Sequence, residues 1–134
     1  MTKQVIIKKV KALNLPKGSY IVFGSCPLAL AGLREANDID LLVNDKLLNR
    51  LRAEGWKQTN KGPHDKPLVW DVFEAHNKWN FSAYQPTLEQ LLETALVIED
   101  VPFASLDEVR QWKVASGRPK DLEDIALIDA YFSR

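Results

Sequence analysis

The stretch Tyr20-Ile21-Val22-Phe23-Gly24-Ser25, followed twelve residues later by Asp38-Ile39-Asp40-Leu41-Leu42-Val43, decides the fold. Tyr20–Phe23 is an unbroken apolar run of strand formers and reads as a buried strand. It stops at Gly24-Ser25. Ser25 suits a helix N-cap, Pro27 suits a first turn, and Leu28-Ala29-Leu30-Ala31 continues a short helix that Gly32 closes. Residues 37–43 read as a second strand. Alternation puts Asp38 and Asp40 on one face, with their Cα atoms about 7 Å apart, and Ile39, Leu41 and Val43 on the other, buried face.

Outward from this pair, residues 3–13 suit a short amphipathic helix, with a strand start at Val5-Ile6-Ile7 as the alternative, and Leu15-Pro16-Lys17-Gly18 a turn. Asp45 caps a helix to about Glu54, ended by Gly55. Trp56–Thr59 is a short strand, residues 61–67 form a loop, and Leu68–Phe73 and Trp79–Tyr84 are the third and fourth strands. Thr87-Leu-Glu-Gln90 and Ser105-Leu-Asp-Glu108 are capping boxes opening helices, with a strand or extended link from Leu96 to Phe103 between them. Gly117 fits a left-handed helix end, and Pro119 the first turn of a final helix. Strands first and helices last predict an α/β (α+β) fold, a small mixed β-sheet flanked by helices with C-terminal helices, in a single domain over 1–134.

The 134 residues are 46% hydrophobic and 27% charged, enough for a core and a polar surface. Eighteen basic against eighteen acidic side chains give zero net charge, which argues against strong non-specific nucleic-acid binding. One cysteine, Cys26, excludes an internal disulfide framework. With no apolar run of membrane-spanning length and no secretory signal pattern, the expectation is a cytoplasmic protein away from the membrane.

Chemistry concentrates at the same stretch. Gly24 allows close approach to the main chain, and Ser25 adds a hydroxyl donor at a helix start. Two aspartates on one strand face repel each other unless a cation lies between them, and oxygen ligands suit Mg²⁺. A third acid is expected at Asp71, flanked by Val69-Trp70 and Val72-Phe73, where an unpaired carboxylate is costly to bury. Glu74, of opposite strand parity, competes with it.

Gly24-Ser25, Asp38-Ile39-Asp40 and a following strand acid resemble the signature of the DNA polymerase beta-like nucleotidyltransferase superfamily in minimal form. The tail Ser105-Leu-Asp-Glu108, Lys113-Val-Ala-Ser-Gly-Arg118-Pro-Lys120-Asp121-Leu-Glu-Asp124 resembles the ending of its bacterial branch of abortive-infection and toxin–antitoxin enzymes. Together they span most of Tyr20–Phe132. The resemblance implies that Gly24 and Ser25 hold a nucleoside triphosphate and that Asp38 and Asp40 bind two Mg²⁺ ions. Asp71 would complete one metal site and help deprotonate the acceptor. It implies a nucleotidyltransferase-like fold and transfer of a nucleoside monophosphate from an NTP to a hydroxyl on a protein, an RNA end such as that of a tRNA, or a small molecule. Pyrophosphate leaves. A toxin–antitoxin or phage-defence setting goes with it, and the alternative is a catalytically silent nucleotide- or partner-binding module of the same fold.

Lys113 shares a helical stripe with Leu106 and Val109, and is expected to reach a phosphate or else to lie along the core with its head in water. Arg118 is expected to bind the nucleotide likewise or to end the helix, while Asp121 and Asp124 are expected to serve the final helix's dipole and to pair with Arg118 or Lys120. His64 and His76 lack companion cysteines, which argues against zinc. Cys26 has no local histidine to activate it as a nucleophile. Trp56, Trp70, Trp79 and Trp112 are expected in the core or a pocket wall.

Overall fold

The computed structural model describes residues 1–62, 65–78 and 83–134. Its centre is β1 (Tyr20–Phe23), buried along its whole length. β1 pairs antiparallel with β2 (Ile39–Val43), placing Phe23 opposite Asp40, and parallel with β7 (Val101–Phe103). β2 pairs parallel with β5 (Phe73–His76), which sets Asp40 beside Glu74 and Leu42 beside His76. Outward lie β4 (Leu68–Trp70) and β3 (Lys57–Gln58) on one flank and β6 (Leu96–Ile98) on the other, in the order β3-β4-β5-β2-β1-β7-β6. The expected mixed sheet with flanking helices is therefore present.

Two apolar layers sandwich it. On one side Val22, Leu41, Val43, Phe73 and Ala75 meet Ile6, Ile7 and Val10 of α1 (Lys3–Ala12) and Leu47 and Leu51 of α3 (Asp45–Ala53). On the other, Ile21, Phe23 and Leu42 meet Leu91 of α4 (Leu88–Glu93), Val109 and Trp112 of α5 (Leu106–Ser116) and Ile128 of α6 (Pro119–Phe132). The strand period of two thus sends Asp40, Glu74 and His76 to the face that carries α5 and α6.

Local chemistry explains the boundaries. α2 (Cys26–Leu30) is short, with Pro27 in its first turn and Gly32 at φ +76 just beyond it. Asn44, not Asp45, caps α3, accepting from the Leu47 amide. The Thr87 box closes in both directions. At Ser105 only half of the box forms, because Glu108 turns to accept from the Tyr84 hydroxyl. Gly117 ends α5 at φ +65, as its placement predicts.

Three expectations about strands change. The second strand starts at Ile39, leaving Asp38 just outside it. The expected strand Leu68–Phe73 breaks at Asp71-Val72 into the two arms of a tight hairpin, β4 and β5. The stretch Leu96–Phe103 is a hairpin too, turned by Glu99 and Asp100 at φ 50 and 67, angles that match the twist of paired strands. Residues 79–82 of the expected fourth strand, and His64, lie outside the described residues.

Candidate metal centre

Gly24 leaves β1 at φ +69, a left-handed angle that glycine takes without strain. A second constraint acts there. A Cβ on Gly24 would lie 2.2 Å from Asp40 Oδ2 and 3.0 Å from its Cγ, so the Asp40 carboxylate packs directly over the glycine. The missing side chain at Gly24 is thus what gives Asp40 its place.

Asp40 is 14% exposed, and the closest basic atom among the described residues is His76 Nε2, 3.9 Å from Oδ1, beyond hydrogen-bond reach. Burial, and after it the neighbouring Asp38 charge, push the Asp40 carboxyl up from 3.8 to about 7, while Lys61 and Lys113 pull the other way. Glu74, on the parallel neighbour strand, and His76, two residues further on, complete the group. One ligand atom from each of Asp40, Glu74 and His76 falls within 4.8 Å of the others. Burial pushes the His76 imidazole down to about 4, helped by Lys61 against the pull of Asp65 and Asp38. His76 Nδ1 lies 4.0 Å from Asp65 Oδ1. Lys61, from the β3–β4 connection, pairs with Glu74.

Asp71 stands apart. It sits in the β4–β5 turn at φ 53, is exposed, and pairs with Lys9 of α1 at 3.0 Å. Its parity is that of Phe73 and Ala75, which face the opposite layer, so extending β5 would still aim it away from Asp40. The strand acid beside Asp40 is Glu74, the competing candidate. Asp38 stays close enough for its charge to raise the Asp40 carboxyl and the Cys26 thiol. Cys26 is fully buried, donates to the Asp38 carbonyl at 3.4 Å, and has its thiol pushed well above the usual range by burial and by Asp40 and Asp38. A thiol held protonated in this way is no nucleophile.

Ser25 stands at the N-cap of α2 as expected, but its hydroxyl makes no cap bond and instead accepts from Arg34 Nη2. Arg34 also forks onto Asp124, with Nε–Oδ1 at 2.7 Å and Nη2–Oδ2 at 2.9 Å. Asp124 Oδ2 lies 2.8 Å from Lys113 Nζ, and Asp121 Oδ1 lies 3.4 Å from it. Arg118 closes the chain on Asp121 at 2.8 Å. Lys113 is only 2% exposed, its ammonium 4.6 Å from the centre of the Trp112 ring. The Lys113 head is therefore neither in water nor open to a cleft, because α6 brings two carboxylates against it. Burial pushes Asp121 and Asp124 up, but hydrogen bonds from Arg118 to the first and from Arg34 and Lys113 to the second more than offset it, and both stay below the usual carboxylate range. Three cations on two carboxylates leave this network, which ends at Ser25, with one net positive charge.

Comparison with models of protein families, with curated proteins and with solved structures finds no match. The site stands on its own geometry. Arg34 and Lys61 are members that sequence reasoning passed over, and His76 is one that it weighed only against zinc. Only His76 had a local signal, since it repeats the Glu74 parity two residues on. Arg34 and Lys61 arrive through pairings with no trace in spacing. Trp56, Trp70 and Phe73 stack with centroids 5.8 to 6.2 Å apart at the far edge of the sheet, with Trp70 half exposed, and Trp112 packs edge-on against Phe23. No helix among the described residues is long and apolar enough to cross a membrane.

Proposed function

We propose that the protein is a divalent-cation-dependent nucleotidyltransferase, transferring a nucleoside monophosphate from an NTP to a hydroxyl acceptor. The observation that carries this reading is the Asp40 carboxylate, half-buried and packed over Gly24 beside Glu74 and His76, with no hydrogen-bond donor against it among the described residues. Such a group is costly to ionise and is relieved by a cation. The donors fit one: two carboxylates with small remaining exposure, an imidazole within reach, and Asp38 adding negative charge nearby.

Asp40 and Glu74 would hold the ion, and Lys61 would leave Glu74 as it enters. A divalent cation bound here supplies charge to offset what builds on a phosphoryl group during in-line displacement, and favours ionisation of a hydroxyl. The chain's own part is placement. Gly24 makes room for the Asp40 carboxylate at the end of β1, and Ser25, oriented by Arg34, offers its hydroxyl proton there. The net positive charge of the Arg34–Asp124–Lys113–Asp121–Arg118 network favours a polyanion in front of it, with Lys113 and Arg118 acting through that field rather than as free arms. Asp71, paired to Lys9 on the other layer, has no part in this arrangement.

The test is incubation of the protein with each α-labelled NTP and a divalent cation, alongside candidate protein and RNA acceptors. Label transfer with release of pyrophosphate, lost in Asp40→Asn and Glu74→Gln, supports the reading. Triphosphate binding without pyrophosphate release from any acceptor leaves a silent nucleotide-binding module of the same site.

A further inference from the structure

The carboxylate pair of the centre has an imidazole as its third member, and that changes which cation it prefers. Register fixes His76 in place. It is paired with Leu42 two residues past the Asp40–Glu74 pair, so β5 aims both of its polar side chains at the Asp40 side of the sheet. His76 is 14% exposed and Glu74 15%, so the three groups face one another in a partly dehydrated recess rather than in open water. His76 Nε2 points to Asp40 at 3.9 Å, too long for a hydrogen bond and of the size expected when two groups flank a common ion. A cation is already drawn here, since the Lys61 ammonium reaches in to pair with Glu74.

Mg²⁺ binds oxygen, keeps several waters and dehydrates reluctantly. A nitrogen donor in a half-dry recess suits it poorly. Imidazole suits the later divalent metals, and a mixed carboxylate–imidazole set gains affinity along the series that starts at Mn²⁺. We infer that His76 is a direct ligand of the cation held by Asp40 and Glu74, and that the centre selects a transition-metal dication, for which Mn²⁺ serves as the probe, over Mg²⁺. The inference rests on the reading above that Asp40 and Glu74 hold a divalent cation. It goes further by assigning the imidazole and the class of metal.

The experiment uses the whole chain freed of metal, without nucleotide, titrated with MnCl₂ or MgCl₂ by calorimetry, together with pulsed electron paramagnetic resonance of the Mn²⁺ form. Wild type should bind Mn²⁺ at least about tenfold more tightly than Mg²⁺, and the Mn²⁺ spectrum should carry hyperfine coupling to a directly bound imidazole nitrogen. His76→Asn should lose that coupling and about tenfold in Mn²⁺ affinity while Mg²⁺ affinity changes little. The spectrum of the wild type stands even where the variant folds poorly. Metal binding lost in Glu74→Gln but without nitrogen coupling in wild type overturns the His76 assignment and leaves the carboxylate site standing. Equal affinity for the two metals overturns the selectivity. Wild-type binding of neither metal overturns both the inference and the reading beneath it.

Discussion

Replacing Asp40 by asparagine should stabilise the metal-free protein, and by an amount that depends on pH. In the folded chain the carboxyl titrates at about 7 instead of 3.8, because burial and Asp38 disfavour its charged form. Between those values the native state holds a proton that the unfolded chain has released, so stability falls as pH rises, until above 7 the full cost is present. A shift of about three units corresponds to about 4 kcal/mol with the group ionised, and to less than half of that at pH 5. Asparagine is nearly the same size and never ionises. Relative to wild type, the variant should gain about 3 kcal/mol between pH 5 and pH 8. His76, held down to about 4, contributes the opposite slope. His76 is retained in both proteins, so the bulk of its slope cancels in the difference. The assay is urea denaturation of both proteins in chelator at pH 5 and pH 8. A variant that is equally stable at both pH values relative to wild type, or less stable at pH 8, refutes the claim of a buried carboxylate awaiting a cation.

Gly24→Ala should cost about 1–2 kcal/mol from its left-handed backbone alone and should also push the Asp40 carboxylate aside, so metal affinity measured by calorimetry should fall far more than stability. Retained affinity would show that Asp40 has room to move. Asp71→Asn should change stability by under about 1 kcal/mol, since it removes one exposed ion pair at a left-handed angle that asparagine tolerates. Metal binding should be intact in it and lost in Glu74→Gln, and the reverse pattern would return the third-acid role to Asp71. Lys113→Met should destabilise by about 3 kcal/mol or more in chemical denaturation, because Asp121 and Asp124 stay buried after their shared ammonium is gone. A loss below about 1 kcal/mol would mean that Arg34 and Arg118 alone satisfy those carboxylates.

The core of this fold was legible because it is written locally. Tyr20–Phe23 is apolar without interruption, and Gly24 stops it where the angle turns positive. The alternation of Ile39, Leu41 and Val43 against Asp40 sorts the two faces. The capping box at Thr87, the Ser105 cap and Gly117 punctuate the helices because their hydrogen bonds reach only three or four residues. The third strand misled because Asp71 sits among strand formers on both sides, and nothing local announces that it takes φ 53. Parity held the answer. Glu74 is an even number of residues from His76 and an odd number from Phe73 and Ala75, and those two prove to be core. The turn at Glu99-Asp100 lacks the glycine or asparagine that marks such hairpins, so its strands looked like one extended link. Lys113 was placed correctly on an apolar stripe, but its partners come from the following helix and, through Asp124, from Arg34 ninety residues away in sequence. Contacts of that range leave no mark in a single sequence.

The most direct test of the central claim is a thermal shift of wild type and Glu74→Gln with ATP, GTP, CTP and UTP, each with Mg²⁺, with Mn²⁺ and with chelator. A ligand at a hundred times its dissociation constant adds about 2.7 kcal/mol, a readily measured rise in melting temperature. Expected is a rise in wild type with triphosphate and dication together that exceeds the rise with the dication alone and is absent in Glu74→Gln. A rise that survives in chelator or in the variant, or no rise with any nucleotide, would contradict the claim.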